Sequence, residues 1–107
     1  MSRITYNKLI RDRIPEIIAD SGKTCEIEIL SPGEFEHHLL EKLIEEARET
    51  QQADGVHLRT ELADLLEVVD ALLVFKGISR QSVRAEQRLR RKERGGFEKR
   101  LKLLWTE

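Results

Sequence analysis

Hydrophobic side chains recur every three or four positions between residues 31 and 76, and this spacing predicts two long amphipathic helices. The first is expected to begin after Ser31, because a proline and a glutamate follow it at positions that favour a helix start. It should continue to about residue 53. The second is expected over residues 57–76, where Gly77 supplies a left-handed end. Helices joined by so short a connection lie antiparallel, so the pattern predicts an all-α antiparallel helix bundle.

Shorter patterns flank this pair of helices. Residues 15–20, which start with a proline, can form a short helix, and residues 24–30 alternate between apolar and polar side chains as a half-buried extended segment does. Such a segment would lie as a strap across the helices or pair with another subunit. Ser79 is a suitable N-cap for a further helix ending near residue 94. The apolar tail at residues 97–105 should dock on the core or on a second subunit.

Four acidic residues lie in or near the apolar faces of the two long helices. Glu46 and Glu49 are neighbours on the first helix, and Glu61 and Asp64 are neighbours on the second. On a helical wheel Glu61 falls inside the apolar arc, Glu46 and Asp64 fall at its margin, and Glu49 lies further out. Acidic residues of helices usually form a solvated surface, but carboxylates directed into a helix interface are costly unless they are paired or bound to a cation. The positions therefore predict a site for Mg2+, with Mn2+ as a substitute, since both suit oxygen ligands.

The composition limits the classes of protein to which the chain can belong. Its 107 residues suffice for a single domain, 1–107, with a modest core. A net charge of −1 predicts no general affinity for a nucleic acid polymer or an anionic membrane. The chain begins with charged residues and contains no apolar stretch long enough to cross a bilayer, so a cytoplasmic protein is expected. The single cysteine, Cys25, excludes an internal disulfide and is expected to be a small buried apolar residue.

The charges are divided unevenly along the chain. Residues 34–70 contain eleven acidic and three basic residues, whereas residues 80–102 contain ten basic and three acidic residues. One segment therefore attracts cations and the other attracts anions. An alternative to a metal site follows from this division: a non-catalytic helical protein-interaction module, in which the acidic and basic segments pair with each other or with a partner protein.

Three stretches resemble the all-α nucleoside triphosphate pyrophosphohydrolase superfamily, which includes the MazG-like proteins and the phosphoribosyl-ATP pyrophosphohydrolases. The superfamily pattern is EExxE, a spacer and ExxD, and this chain carries Glu45-Glu46-x-x-Glu49 and Glu61-x-x-Asp64. YNKLIRDRIPEII near the start and RKERGGFEKRL near the end resemble a compact subgroup of the same superfamily. The resemblance covers nearly the whole chain. It implies Mg2+-dependent cleavage between the α and β phosphates of a nucleotide substrate with release of pyrophosphate, in a role such as house-cleaning of non-standard nucleotides.

The chemistry of this reaction, together with the positions of the residues, assigns roles to individual residues. Glu46, Glu49, Glu61 and Asp64 would be metal ligands, and Glu45 would orient or deprotonate the attacking water. Four basic residues would hold phosphate oxygens: Lys8, Arg11, Lys92 and Arg94. The spacer between the two motifs is short for the superfamily, and no base-recognition pattern accompanies it, so the base of the substrate is left open.

A homo-oligomer is expected on physical grounds. Three long helices and one short helix cannot cover every apolar stripe of this chain by themselves. A second subunit is the expected cover, in a homodimer or a homotetramer.

Overall fold

The computed structural model describes residues 2–107 and is entirely helical over that range. Its four helices are α1 (Ile14–Asp20), α2 (Pro32–Gln52), α3 (Leu58–Lys76) and α4 (Arg80–Arg94). No β-strand occurs among the described residues. The prediction of an all-α chain is confirmed, and each helix begins and ends within about one residue of the bound expected from the sequence.

Local hydrogen bonds explain where α2 begins and where α3 ends. The Ser31 hydroxyl accepts a hydrogen bond from the Glu34 backbone N–H at 3.3 Å, and the Glu34 carboxylate accepts one from the Ser31 backbone N–H at 3.2 Å. This reciprocal pair stabilises the start of α2 by about 1 kcal/mol. Gly77 ends α3 in the left-handed conformation, with φ of 66°. The backbone N–H of Ile78 then donates to the Leu73 carbonyl at 2.9 Å, which satisfies one of the last carbonyls of the helix.

The connection between α2 and α3 is closed by one side chain. The Asp54 carboxylate accepts hydrogen bonds from the backbone N–H groups of Val56 and His57 at 3.1 and 3.0 Å. The His57 ring lies 2.8 Å from the same oxygen, and this contact holds the pKa of Asp54 below its usual value. The short connection therefore has a defined shape and turns the chain back on itself.

The core lies between α2 and α3, which are antiparallel neighbours. Leu39 of α2 and Val68 of α3 are the two hydrophobic residues among those described that are less than a tenth exposed, at 3% and 6%. Phe35, near the start of α2, meets Phe75, near the end of α3, edge to face with ring centroids 5.2 Å apart. Much of the apolar surface of both helices remains outside this narrow contact.

The single chain is elongated and leaves many hydrophobic side chains in solvent. Its radius of gyration is 18.5 Å, whereas a compact domain of about 100 residues has a value near 13 Å. The tail after α4 is exposed throughout, with Phe97 at 96% exposure and Trp105 at 70%. The tail does not dock on the core within the described residues of one chain, and its docking on a second subunit stays a prediction. Among the described residues, no helix has the length and apolar character needed to cross a membrane.

Residues 24–30 also differ from the expectation. They form no strand and are exposed up to Ile29, with half-burial beginning only at Leu30. Cys25 is exposed, so the prediction that it is buried is wrong. The alternation predicted a half-buried segment, but among residues 2–107 no element covers its apolar side.

Candidate metal centre

Carboxylates from α2 and α3 converge at the end of the helix pair that carries the connecting loop. Glu46, Glu61 and Asp64 each offer one carboxylate oxygen, and these three oxygens lie within 4.8 Å of one another. The i, i+3 spacing on α3 places Glu61 and Asp64 on one side of that helix, facing Glu46 across the interface. Antiparallel packing thus brings together residues that are separated by a loop in the sequence.

The interior of this cluster contains two carboxylate oxygens without hydrogen-bond partners. Glu46 is only 7% exposed. Glu46 Oε2 and Glu61 Oε2 are both buried and accept no hydrogen bond from any described residue. A buried carboxylate oxygen without a partner is destabilising. A hard divalent cation would satisfy both oxygens, and an all-carboxylate donor set suits Mg2+ or Mn2+.

The pKa values of two of these carboxyl groups are raised, as expected when negative charges are buried close to one another. Burial raises the pKa of Glu46, and the nearby negative charge of Glu49 raises it further. Burial also raises the pKa of Glu61, again with a contribution from Glu49. Glu49 is exposed, but its charge acts on both neighbours, so it belongs to the same electrostatic group. The structure therefore brings three of the four predicted ligands, Glu46, Glu61 and Asp64, within reach of one cation, whereas Glu49 is an exposed neighbour outside these three.

An irregular N-terminal segment, residues 2–13, supplies positive charge to this region; we call it the N-terminal arm. Arg11 Nη2 donates to Asp64 Oδ1 at 2.8 Å. Lys8 Nζ donates to Glu45 Oε1 at 3.1 Å. The arm therefore contacts both long helices, and two of the predicted phosphate-binding residues lie beside the acidic cluster.

Lys42 also belongs to this region and was not predicted from the sequence. Its Nζ lies 3.9 Å from Glu46 Oε1, one helical turn further along α2. The i, i+4 spacing of Lys42 and Glu46 is the signal that could have identified it. Lys42 is half-buried, and the 3.9 Å distance makes it a positive charge close to Glu46.

Lys92 and Arg94 are not brought to the cluster within one chain. Both lie in the last turn of α4, which begins beyond Gly77, at the end of α3 remote from Glu61. Within residues 2–107, no ion pair joins α4 to the cluster, and the only ion pair in this part of α4 joins Arg91 to Glu98 in the tail. The helix is exposed along its length because it does not fold back along the α2–α3 pair.

The alternative interaction module would place the basic segment on the clustered carboxylates. In the structure, the ion pairs of those carboxylates are Asp64 with Arg11 of the N-terminal arm and Glu46 with Lys42. The basic segment contacts the acidic one through Arg80 and Asp70, outside the cluster. Among the described residues, this is the one ion pair between the two segments, and it lies outside the cluster.

A shallow cleft adjoins the cluster on the side of the N-terminal arm. Its volume is about 260 Å³. None of the clustered carboxylates lines it, but Lys42, whose Nζ lies 3.9 Å from Glu46 Oε1, is one of its lining residues. The residues that line it are Tyr6, Asn7, Lys8, Leu9, His38, Glu41, Lys42 and Glu45.

Comparisons with known proteins add little to this geometry. The chain is 49% identical over 47 residues to an uncharacterized protein from Mycolicibacterium smegmatis (strain ATCC 700084 / mc(2)155). The matched segment covers 44% of this chain and 48% of the relative, so the match spans about half the length of each protein. No family model matches the chain. No solved structure matches it either.

Proposed function

We propose that this protein is a Mg2+-dependent nucleotide pyrophosphohydrolase of the MazG-like type, which cleaves between the α and β phosphates and releases pyrophosphate. One observation carries the proposal: Glu46 and Glu61 each bury a carboxylate oxygen without a partner, in a cluster whose donor oxygens lie within 4.8 Å of one another. An interaction surface has no need for such a cluster, because burying mutually repelling charges weakens the fold.

The residues present fit a hard divalent cation. Glu46, Glu61 and Asp64 would hold it, with Glu49 beside them. When bound, such a cation neutralises phosphate charge and lowers the pKa of a water molecule. Without it, the cluster repels the phosphates of a nucleotide, so metal binding and nucleotide binding are coupled.

The remaining roles belong to side chains around the cluster. Glu45 lies one residue from Glu46 and at the edge of the cleft, where its carboxylate would accept a proton from the attacking water. Lys8 and Arg11 would hold phosphate oxygens from the N-terminal arm. The nucleoside would occupy the cleft, in which Tyr6 offers an aromatic face.

We also propose that the protein is a homo-oligomer, a homodimer or a homotetramer. Leu40 and Ile44 form an exposed stripe on α2, and Leu58, Leu62 and Leu66 form another on α3. At 100° per residue, both stripes lie on the same side of the antiparallel pair, next to the packed contact. They make one continuous apolar surface, which the same surface of a second copy would bury. In such an assembly, Lys92 and Arg94 of one subunit would lie near the acidic cluster of another subunit and not near that of their own.

The decisive experiment measures pyrophosphate release from a panel of standard and modified nucleotides in the presence of Mg2+ or Mn2+. The wild type should release pyrophosphate from at least one of them, and chelation of the metal should stop the reaction. Asp64→Asn should lower the rate by at least about a hundredfold, because it removes a ligand charge.

Asp70→Asn is the matched control for this experiment. Asp70 is on the same helix but pairs with Arg80 outside the cluster, so its replacement should leave the rate within about twofold of wild type. Absence of pyrophosphate across the whole panel would refute the proposed reaction.

A further inference from the structure

The N-terminal arm places a permanent positive charge on one of the three converging carboxylates. Arg11 Nη2 lies 2.8 Å from Asp64 Oδ1, and Asp64 is one of the residues that can share a cation with Glu46 and Glu61. A guanidinium and a divalent cation at the same carboxylate repel each other at close range. This repulsion weakens the contact of Arg11 with Asp64 when Asp64 serves as a ligand.

We propose that Arg11 is a resident counter-charge that a divalent cation displaces from Asp64, and that the released guanidinium then binds phosphate oxygens. The second half of the proposal rests on the proposed function. The first half concerns the metal alone. Arg11 thus exchanges a carboxylate partner for a phosphate partner.

The contacts around Arg11 permit this exchange. The N-terminal arm has no regular secondary structure before α1, and the Arg11 and Asp64 side chains are both partly exposed. The pair is therefore screened by water and held weakly. Lys8 anchors the arm separately, through Glu45 on α2, so Arg11 can leave Asp64 while the arm remains beside the cluster.

The arm neutralises only the outer edge of the cluster. Asp64 has a positive partner, whereas the inner oxygens Glu46 Oε2 and Glu61 Oε2 have no hydrogen-bond partner. Glu46 is more than nine-tenths buried, so the long Arg11 side chain does not serve its inner oxygen. A small divalent cation can satisfy these inner oxygens, and this is the source of the free energy that displaces Arg11.

The exchange couples two binding events in a fixed order. Metal binding frees a guanidinium that can form two parallel hydrogen bonds to a phosphate group. In the metal-free protein, the carboxylates repel the same phosphate group and Arg11 is already paired with Asp64. Metal should therefore strengthen phosphate binding by more than its own charge accounts for, and phosphate should strengthen metal binding by the same factor.

The first test measures Mn2+ affinity by titration calorimetry without any nucleotide, for the wild type, Arg11→Ala and Arg13→Ala. Arg11→Ala should bind Mn2+ about two- to fivefold more tightly, the size expected when one half-exposed ion pair no longer competes. Arg13 is the matched control, because it pairs at 2.8 Å with Glu16 of its own helical turn and not with the cluster. Arg13→Ala should bind Mn2+ as the wild type does.

The second test measures the affinity for inorganic pyrophosphate in the presence of saturating Mg2+. Arg11→Ala should bind pyrophosphate about tenfold more weakly, as expected for a lost hydrogen bond to a charged group. Arg13→Ala should be unchanged. Opposite signs in the two tests are the signature of an exchange, since a merely structural role of Arg11 would weaken both affinities together.

The outcomes separate this proposal from the proposed function. A wild type that binds metal, with an Arg11→Ala variant that binds it no more tightly, overturns the exchange and leaves the hydrolase proposal standing. A wild type that binds no divalent cation overturns both proposals. Melting curves in EDTA should show Arg11→Ala and Arg13→Ala folded alike, and Arg11→Gln, which keeps most of the side-chain length, should repeat both shifts.

Discussion

The two sides of the α2–α3 pair differ in how far the rest of the chain covers them. On one side, the N-terminal arm lies over the acidic cluster, and Arg11 and Lys8 contact Asp64 and Glu45. On the other side, the leucine stripes of both helices face solvent. A few long basic side chains on an irregular segment can compensate charges, whereas an apolar surface is removed from water only by a packed element of similar area. The difference marks the leucine stripes as the part of the molecule that a second chain would cover in the proposed oligomer.

The largest expected effect is on the apolar side. Leu62→Glu places a charge in the proposed subunit interface and should weaken self-association by at least about a hundredfold, because an unpaired charge is not tolerated in an apolar contact. Sedimentation velocity over a range of concentrations measures this effect. Val74→Glu is the control, since Val74 lies a third of a turn away around α3 and is already 82% exposed. If Leu62→Glu and Val74→Glu weakened self-association equally, or if the wild type were a monomer, the leucine stripes would not be a subunit interface.

The next effect belongs to the side that the arm covers. Millimolar Mn2+ should raise the melting temperature by several degrees, because a ligand at 100 times its Kd stabilises the folded state by about 2.7 kcal/mol. The increase should disappear in Asp64→Asn and persist in Asp70→Asn. Sodium chloride at the same ionic strength should not reproduce it, since screening weakens ion pairs and does not fill a coordination site. Equal melting temperatures in EDTA and in Mn2+ would favour the interaction module instead.

The smallest effect is the pH dependence of the metal-free protein. The folded-state pKa values of Glu46 and Glu61 are raised above the ordinary value of 4.5, so between 4.5 and the raised values the folded state binds more protons than the unfolded state. Stability should therefore fall as the pH rises through this window. Glu46→Gln should flatten the fall, whereas Glu34→Gln should not, because hydrogen bonds from Ser31 lower the pKa of Glu34. Urea denaturation at several pH values, in EDTA, measures the slopes.

The helices were predictable because the signals that start and stop them are local. Ser31 and Glu34 cap α2 through contacts within one turn, and Gly77 ends α3 by its own backbone conformation. The positions of Glu46 and Glu61 on their helices followed from periodicity, so their convergence could be expected as soon as α2 and α3 were taken as antiparallel. Cation binding and catalysis at the cluster remain predictions.

The parts that were not predictable depend on contacts between distant segments. Nothing in the alternating pattern around Cys25 distinguishes a segment covered by its own chain from one that is left exposed. The same holds for Phe97 and Trp105 in the tail. Lys92 and Arg94 were grouped with Lys8 and Arg11 by charge, but the path of α4 after Gly77 decides which basic residues lie near the cluster. That path depends on contacts between segments that are distant in sequence, which no short stretch of sequence encodes.

Asp54 closes the connection between α2 and α3, so the core and the acidic cluster belong to a single helical hairpin. Contacts within a hairpin join residues that are close in sequence, and such low contact order favours rapid folding. The packing of α2 against α3 that buries Leu39 and Val68 also brings Glu46, Glu61 and Asp64 together. The mutual repulsion of these carboxylates opposes the packing, so the metal-free hairpin gives up part of its stability to its own acidic cluster.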